Sequence, residues 1–458
     1  LARVEGASID GRLNVLRIRQ RLFQSLHATL VQHHNDAIQA IQIDEGCSLE
    51  EALLVYGSSL IELRNHYDAL DLRKDLEQEY RVAKGESNES RRTPFPITYI
   101  IPGTIHLFYN VISALSAALG AGSCVIVELE NTTLRTSDLL RRIITASLDQ
   151  DAFGSTSSRA PTEYLAKCAI VDQTTDLVAS NISARRILSS SMHRNIALVD
   201  RTADVELAAR EIVASRLAFK GTSLCAVDLV LVNEFVLDKF NAAAIQALEA
   251  IRGAEGTEKM STSSDKSFAS GRRSNSKLFN GNTPSDDVRW VNGNSNLGLL
   301  QLVNSAKLAS SRVVVVHPTT SLDDPIDFLS TESQQSTPIA ALYIFSGQRE
   351  AKYLSQYIVS QSSYINHIPA QLMVGPSAPL DFPTNLRVRY TRDMFEVPSP
   401  QVVPGVRSHF ASTIFKKANF IDAVARKPLK PTGQPPSGAW GFFEQGMVIG
   451  AFFYLLPI

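Results

Sequence analysis

The sequence predicts an α/β fold in two domains, followed by an apolar C-terminal tail. Three observations lead there. Short apolar runs alternate with helical segments from residue 97 onward, a strand–helix–strand series that implies parallel sheets covered on both faces. The series repeats further along the chain. At 458 residues, the chain is too long for one ordinary hydrophobic core, so two domains with appendages are expected.

Taken in order, residues 8–82 read as helices. Apolar residues recur at helical spacing from Leu16 to Ile41, through Leu22, Leu26, Leu30 and Ile38. Ser48, three residues before Glu51, forms the pattern of a capping box that opens a helix through Leu63. The polar stretch 83–93 reads as a linker. Ile97–Ile101, Cys124–Val127 and Ala169–Val171 are short apolar runs and read as buried strands. Val111–Leu119 and Thr136–Ala146 between them read as helices. In the second series Ile196–Val199, Leu229–Val232, Val313–Val316, Ala340–Ile344 and the run opening at Tyr364–Ile365 read as strands. Val205–Ala218, a segment ending at Ile251, and Glu350–Val359 read as helices. Residues 255–296 are rich in Ser, Asn, Gly and Lys without an apolar period, and read as a mobile surface insertion. Prolines punctuate Gly375–Pro404. This gives domains at 1–188 and 189–372, then an irregular segment with the tail at 373–458.

Composition excludes several classes. With 45 basic and 46 acidic residues the net charge is −1, which provides no field for nucleic acid, so none is expected as a partner. Cys47, Cys124, Cys168 and Cys225 lie far apart without a CxxC pair, so neither a structural metal site nor a disulfide framework is expected. Reduced thiols suit the cytoplasm. The chain has no nucleophile elbow, P-loop, HExxH or EF-hand pattern, which leaves hydrolase, kinase and metalloenzyme chemistry without support. In the tail, Trp440–Ile458 carries only Glu444. Upstream lie Arg407, Lys416, Lys417, Arg426, Lys427 and Lys430. A basic segment beside an apolar one suits an anionic membrane surface; packing on protein is the alternative.

Three stretches, in order, resemble the aldehyde dehydrogenase superfamily. Tyr99-Ile-Ile-Pro-Gly-Thr104, with Ala117-Ala-Leu-Gly-Ala-Gly-Ser-Cys-Val-Ile-Val127 and Glu130-Asn-Thr-Thr-Leu134, is similar to the family's segment running from PWN to SExTPL. Asn195-Ile-Ala-Leu-Val-Asp-Arg-Thr-Ala-Asp-Val205 is similar to the strand and helix start after ELGGK. Phe219-Lys-Gly-Thr-Ser-Leu-Cys225 is similar to the stretch around the nucleophilic cysteine. The resemblance implies a Rossmann-like cofactor domain and a second, catalytic-type α/β domain. It further implies NAD or NADP as cofactor, a small-molecule aldehyde or other carbonyl substrate in the cleft, and a homo-oligomer.

Position by position, the resemblance also shows erosion. The oxyanion-hole Asn corresponds to Thr104, a hydroxyl of shorter reach. The ribose Lys corresponds to Val127 or Glu128, neither of them basic. Glu130 keeps the ribose Glu and is the one cofactor-binding candidate. The glycine turn at the pyrophosphate corresponds to Val171-Asp-Gln-Thr174, where Gln173 replaces Gly and Asp172 adds negative charge; both oppose a dinucleotide. The general base corresponds to Ser190, which cannot deprotonate a thiol unaided. Ungapped register places the nucleophile at Leu224, one residue before Cys225. The late ExFGP motif falls near Ala309–Val313, where no carboxylate stands. Candidate catalytic residues are therefore Cys225, Thr104, Ser190, His193 and His106. Cys225 reads equally as a small buried apolar residue, and the two histidines as core or surface residues. The function expected is action on a carbonyl compound by a repurposed biosynthetic enzyme with weak or no NAD-dependent oxidation. The alternatives are a scaffold or partner subunit tethered by its tail, or an NAD(P)-dependent dehydrogenase using Cys225. Cytoplasmic location is expected, with the tail peripheral to or anchored in a membrane.

Overall fold

The structure, a computed structural model, describes residues 1–174, 185–189, 193–261, 288–294, 297–302, 312–333, 338–404, 422–430 and 442–455. Helix α1 (Ala2–Asp10) stops at Gly11, whose φ of 63° suits a residue without Cβ. The helical pattern from Leu16 to Ile41 divides at His33 into α2 (Leu16–Gln32) and α3 (His34–Glu45). On α2 the buried stripe is Phe23, Leu26 and Leu30, the i, i+3, i+7 face of an amphipathic helix. The capping box forms at α4 (Leu49–Asp68): Glu51 N–H donates to Ser48 Oγ at 3.2 Å and Ser48 N–H to Glu51 Oε2 at 2.9 Å. Such a cap contributes about 1 kcal/mol. Asp71 caps α5 (Leu72–Glu79) by its side chain alone, which accepts from the Arg73 and Lys74 N–H groups.

The linker expected at 83–93 ends in a short strand, β1 (Arg92–Pro94). The first sheet follows: β2 (Ile97–Ile101), α6 (Leu107–Ala121), β3 (Cys124–Glu128), α7 (Arg135–Ser147), β4 (Phe153–Thr156), α8 (Thr162–Leu165), β5 (Ala169–Asp172) and β6 (Arg186–Leu188). Its strand order is β4-β3-β2-β5-β6, all parallel. Every residue of β2, β3 and α6 is buried, which is why these segments read as unbroken apolar runs. Each large side chain so buried contributes roughly 1.5–3 kcal/mol.

The second sheet collects β7 (Arg194–Val199), β8 (Leu229–Asn233), β9 (Val288–Asn294), β10 (Leu297–Leu302), β11 (Val313–Thr319), β12 (Ile339–Phe345) and β13 (Ser362–Ile365). Its helices are α9 (Val205–Leu217), α10 (Leu237–Ser261), α11 (Asp324–Ser333) and α12 (Gln348–Tyr357). The order is β13-β12-β7-β8-β11-β10-β9, with β9 and β10 antiparallel and the other neighbours parallel. Here the expectation of an insertion without regular structure at 255–296 needs correction at both ends. Helix α10 continues into it and β9 lies inside it; residues 262–287 are outside the described residues.

Between the sheet residues and β14 (Glu396–Pro398), which pairs antiparallel with β1, the chain runs irregularly. Buried Arg389 anchors it: its guanidinium donates to the carbonyls of Gln371 at 3.1 Å and Val374 at 2.8 Å, and its N–H donates to Glu62 Oε1 at 2.5 Å. Tyr109 donates to the other Glu62 oxygen. Burial pushes the Glu62 carboxyl up, against these hydrogen bonds.

Residues 81–88 and 401–458 form a separate compact unit. Within it Asn88 and Gln401 exchange backbone hydrogen bonds at 2.7 and 2.9 Å. Its helix Phe442–Leu455 exposes Met447, Val448, Ile449 and Phe452. No helix of the described residues is long and apolar enough to cross a membrane.

Candidate functional site

The first sheet reverses direction at β2: the chain moves outward through β3 and β4 on one side, then through β5 and β6 on the other. Crevices at such switch points, beyond the carboxyl ends of parallel strands, are where open α/β sheets take ligands. A cavity of about 310 Å³ opens there. Its wall comes from the end of β2 and the loop after it (residues 101–105), the end of β3 and the loop after it (including Glu128, Glu130 and Leu134), Arg159 after β4, Gln173 and Thr174 after β5, and Leu224.

The loop after β2 is held from below. Asn110, a polar residue inside wholly buried α6, donates through Nδ2 to the carbonyls of Gly103 at 2.9 Å and Ile105 at 2.7 Å. Gly103 N–H donates to Gln173 Oε1 at 3.3 Å. A Cβ at Gly103 would sit 2.7 Å from the Gln173 carbonyl oxygen, so no larger residue fits. Thr104 is thereby placed at the mouth, exposed, with its hydroxyl making no hydrogen bond within the described residues.

The segment that carries Leu224 is equally fixed. Phe219, Lys220 and Gly221 are left-handed in succession, with φ of 50°, 56° and 78°. For the two side-chain-bearing residues this costs on the order of 1–3 kcal/mol each. Several bonds offset the cost. Glu51, whose Oε2 completes the capping box, accepts from Phe219 N–H through Oε1 at 2.6 Å. Ser223 Oγ donates to the Met373 carbonyl at 2.8 Å, and Asn195 Nδ2 to the Leu224 carbonyl at 2.9 Å. Leu224 then points to the cavity, while Cys225 is 3% exposed and its carbonyl accepts from Tyr343 Oη at 2.9 Å. Burial pushes the Cys225 thiol up, against the pull of Arg389.

Of the candidates, Thr104 and Glu130 share this cavity, and Leu224 occupies its wall. His106 does not line it. It is fully buried at the start of α6, accepts from Gly375 N–H through Nδ1 at 3.0 Å and meets the Phe219 ring edge-on at 4.3 Å. Desolvation lowers its pKa to about 3, and its Nε2 lies 3.7 Å from Glu45 Oε2. Gly375 itself cannot be replaced, since a Cβ would collide with the Tyr109 ring. His193 is half-buried beside β7 and does not line the cavity. Ser190 lies outside the described residues, as do residues 309–311 of the stretch matched to the late carboxylate motif.

The residues present do not fit the dinucleotide that the resemblance implies. Val127 is fully buried within β3. Glu128 is engaged by Tyr99 Oη at 2.8 Å and by two of the three Arg159 guanidinium nitrogens, Nη2 at 3.2 Å and Nε at 3.3 Å. In the turn after β5, the Gln173 side chain fills the position where a glycine would admit a pyrophosphate. Its Nε2 donates to the Asn110 carbonyl at 3.1 Å and to Tyr390 Oη at 2.8 Å. Buried Asp172 beside it is paired with Arg186 at 2.6 Å. Sequence reading missed Arg159, Asn110 and Tyr99. Asn110 gave a visible signal, because an amide inside an apolar helix must find partners when buried. Arg159 gave none, lying in a polar loop.

The sequence profile described as the aldehyde dehydrogenase family matches residues 14–266. No curated protein matches the chain. Solved structures share the fold at low identity. The substrate-bound AldH of Staphylococcus aureus has a TM-score of 0.64 at 14% identity, covering 99% of this chain and 98% of its own. KauB of Pseudomonas aeruginosa gives 0.65 at 13%, covering 88% of each. The glyceraldehyde-3-phosphate dehydrogenase GapN of Methanocaldococcus jannaschii, complexed with NADP, gives 0.65 at 11%, covering 88% of this chain and 93% of its own. With the profile spanning more than half of its length, the chain belongs to the aldehyde dehydrogenase family.

Proposed function

We propose that this protein acts on an aldehyde or other carbonyl compound in the cavity beside β2, β3 and β5, as a repurposed biosynthetic enzyme that does not depend on oxidation by NAD(P). One observation carries the reading: Leu224 stands in the cavity wall at the nucleophile's register position, while the neighbouring Cys225 thiol is sealed in the core and held protonated. Family membership supports carbonyl chemistry. The filled pyrophosphate turn and the engaged Glu128 support its separation from the dinucleotide. What remains is a shaped cavity in which a ligand meets the Thr104 hydroxyl, the Glu130 carboxylate and apolar wall. Such a site suits reactions governed by positioning, such as cyclisation, condensation or dehydration. The test is product analysis after incubating the purified chain with aldehydes in the absence of any dinucleotide. Conversion that survives Cys225→Ala is expected. Conversion that requires NAD(P) and vanishes in Cys225→Ala would sink the reading.

A second reading, a partner subunit tethered by its tail, rests on the helix Phe442–Leu455 with its exposed apolar residues. At 1.5 Å per residue it is shorter than the roughly 30 Å bilayer core, so it would lie on a surface rather than span. The run from Arg407 to Lys430 is rich in cations, which would favour an anionic one. Co-flotation with phosphatidylserine vesicles, lost when residues 440–458 are removed, is the expected result. Equal flotation without the tail would contradict it.

A further inference from the structure

Arg159 lies in a polar loop with its side chain 35% exposed, a setting in which a long side chain ordinarily keeps its rotamer freedom. Here it is clamped. Its Nε donates to Glu128 Oε2 at 3.3 Å and its Nη2 to Glu128 Oε1 at 3.2 Å, the bidentate pairing of a planar fork with a carboxylate. Glu128 is fixed in turn. It is 7% exposed at the end of β3, and its Oε2 accepts from the Oη of buried Tyr99 at 2.8 Å. The same Tyr99 oxygen accepts from the N–H of Ala160, next to Arg159, at 3.1 Å. Phenol, carboxylate, guanidinium and backbone N–H close a ring that ties the loop after β4 across β3 to β2.

The clamp uses Nε and Nη2. The third nitrogen, Nη1, makes no hydrogen bond among the described residues, and Arg159 lines the cavity. A ligand oxygen bound there meets a donor whose orientation is set before it arrives, so little entropy is lost in aiming it. The Thr104 hydroxyl, also unbonded, lines the same cavity on the loop that Asn110 holds. We propose that Arg159 donates through Nη1 to the carbonyl oxygen of the substrate, with Glu128 and Tyr99 as the positioning residues that aim it. This rests on the cavity being the carbonyl site proposed above, and adds the group that polarises the carbonyl. Addition at a carbonyl carbon moves the π electron pair onto the oxygen, where a fixed, charged donor stabilises it.

The probe is 4-(dimethylamino)cinnamaldehyde, whose absorption moves to longer wavelength as its carbonyl oxygen is polarised. Bound to the full chain without any dinucleotide, it should absorb at longer wavelength than in water. Arg159→Met should abolish that shift and weaken binding ~10-fold or more, the worth of a hydrogen bond to a charged group. Arg159→Lys keeps a charge without the fork and should leave a smaller shift; it carries the test if Arg159→Met does not fold. Tyr99→Phe, which removes a clamp hydroxyl and no ligand contact, should also reduce the shift, its fold checked by thermal unfolding. Binding without a shift beyond the position in water, or a shift unchanged in the Arg159 variant, would overturn the inference and leave the carbonyl site standing. A shift unchanged in Tyr99→Phe would overturn the positioning role. An aldehyde that does not bind at all would overturn the carbonyl site and the inference with it.

Discussion

At the scale of single residues, neighbours in the chain part company. Leu224 and Cys225 differ by one position, yet one lines the cavity and the other is buried in the core. Sequence reading could state this only as a choice of register, since a chain of letters does not say which side chain a fixed loop turns outward. The same scale holds a pH effect. His66 on α4 is buried, its Nε2 lacks a hydrogen-bond partner, and desolvation lowers its pKa from 6.5 to about 4. His106 is lowered further, to about 3. Both are neutral in the native protein and ionise near 6.5 when unfolded. The unfolded chain thus binds more protons between about 6.5 and 4. Stability should be fully present above 6.5 and fall as the pH drops through that window, by at most about 1.4 kcal/mol per pH unit for each histidine. Urea unfolding from pH 7 to 5 measures it, and His66→Gln should flatten the slope. An unchanged slope would exclude His66 as its source.

At the scale of elements, legibility followed burial. Strands β2, β3, β7, β8, β11 and β12 are covered on both faces, so they appear as unbroken apolar runs and were read directly. Strand β4 has one buried residue among polar ones, and β1, β6 and β14 are three residues each, too short to show any period. Strand β9 was hidden by the Asn- and Gly-rich composition around it, although Val288, Trp290 and Val291 are residue types that favour strands. The capping box at Ser48 and Glu51 was read correctly. Its second role was not readable, because the free oxygen of Glu51 holds Phe219, 168 residues away. Contacts of that separation exist only once the fold brings α4 to the loop.

At the scale of the whole molecule, family membership and fold were legible because motif order survives the loss of individual motif residues. The site was half legible. Thr104, Glu130 and Leu224 were placed by register and share one cavity. The groups on which the proposed loss of the dinucleotide rests, Gln173 with Tyr390 and Glu128 with Arg159, bond between different segments of the chain. The most direct measurement is calorimetric titration of the full chain with NAD and with NADP, each with and without a bound aldehyde. The result expected is aldehyde binding with no heat from either dinucleotide up to millimolar concentration. Micromolar binding of NAD or NADP would contradict the account and return oxidation through Cys225 to the front.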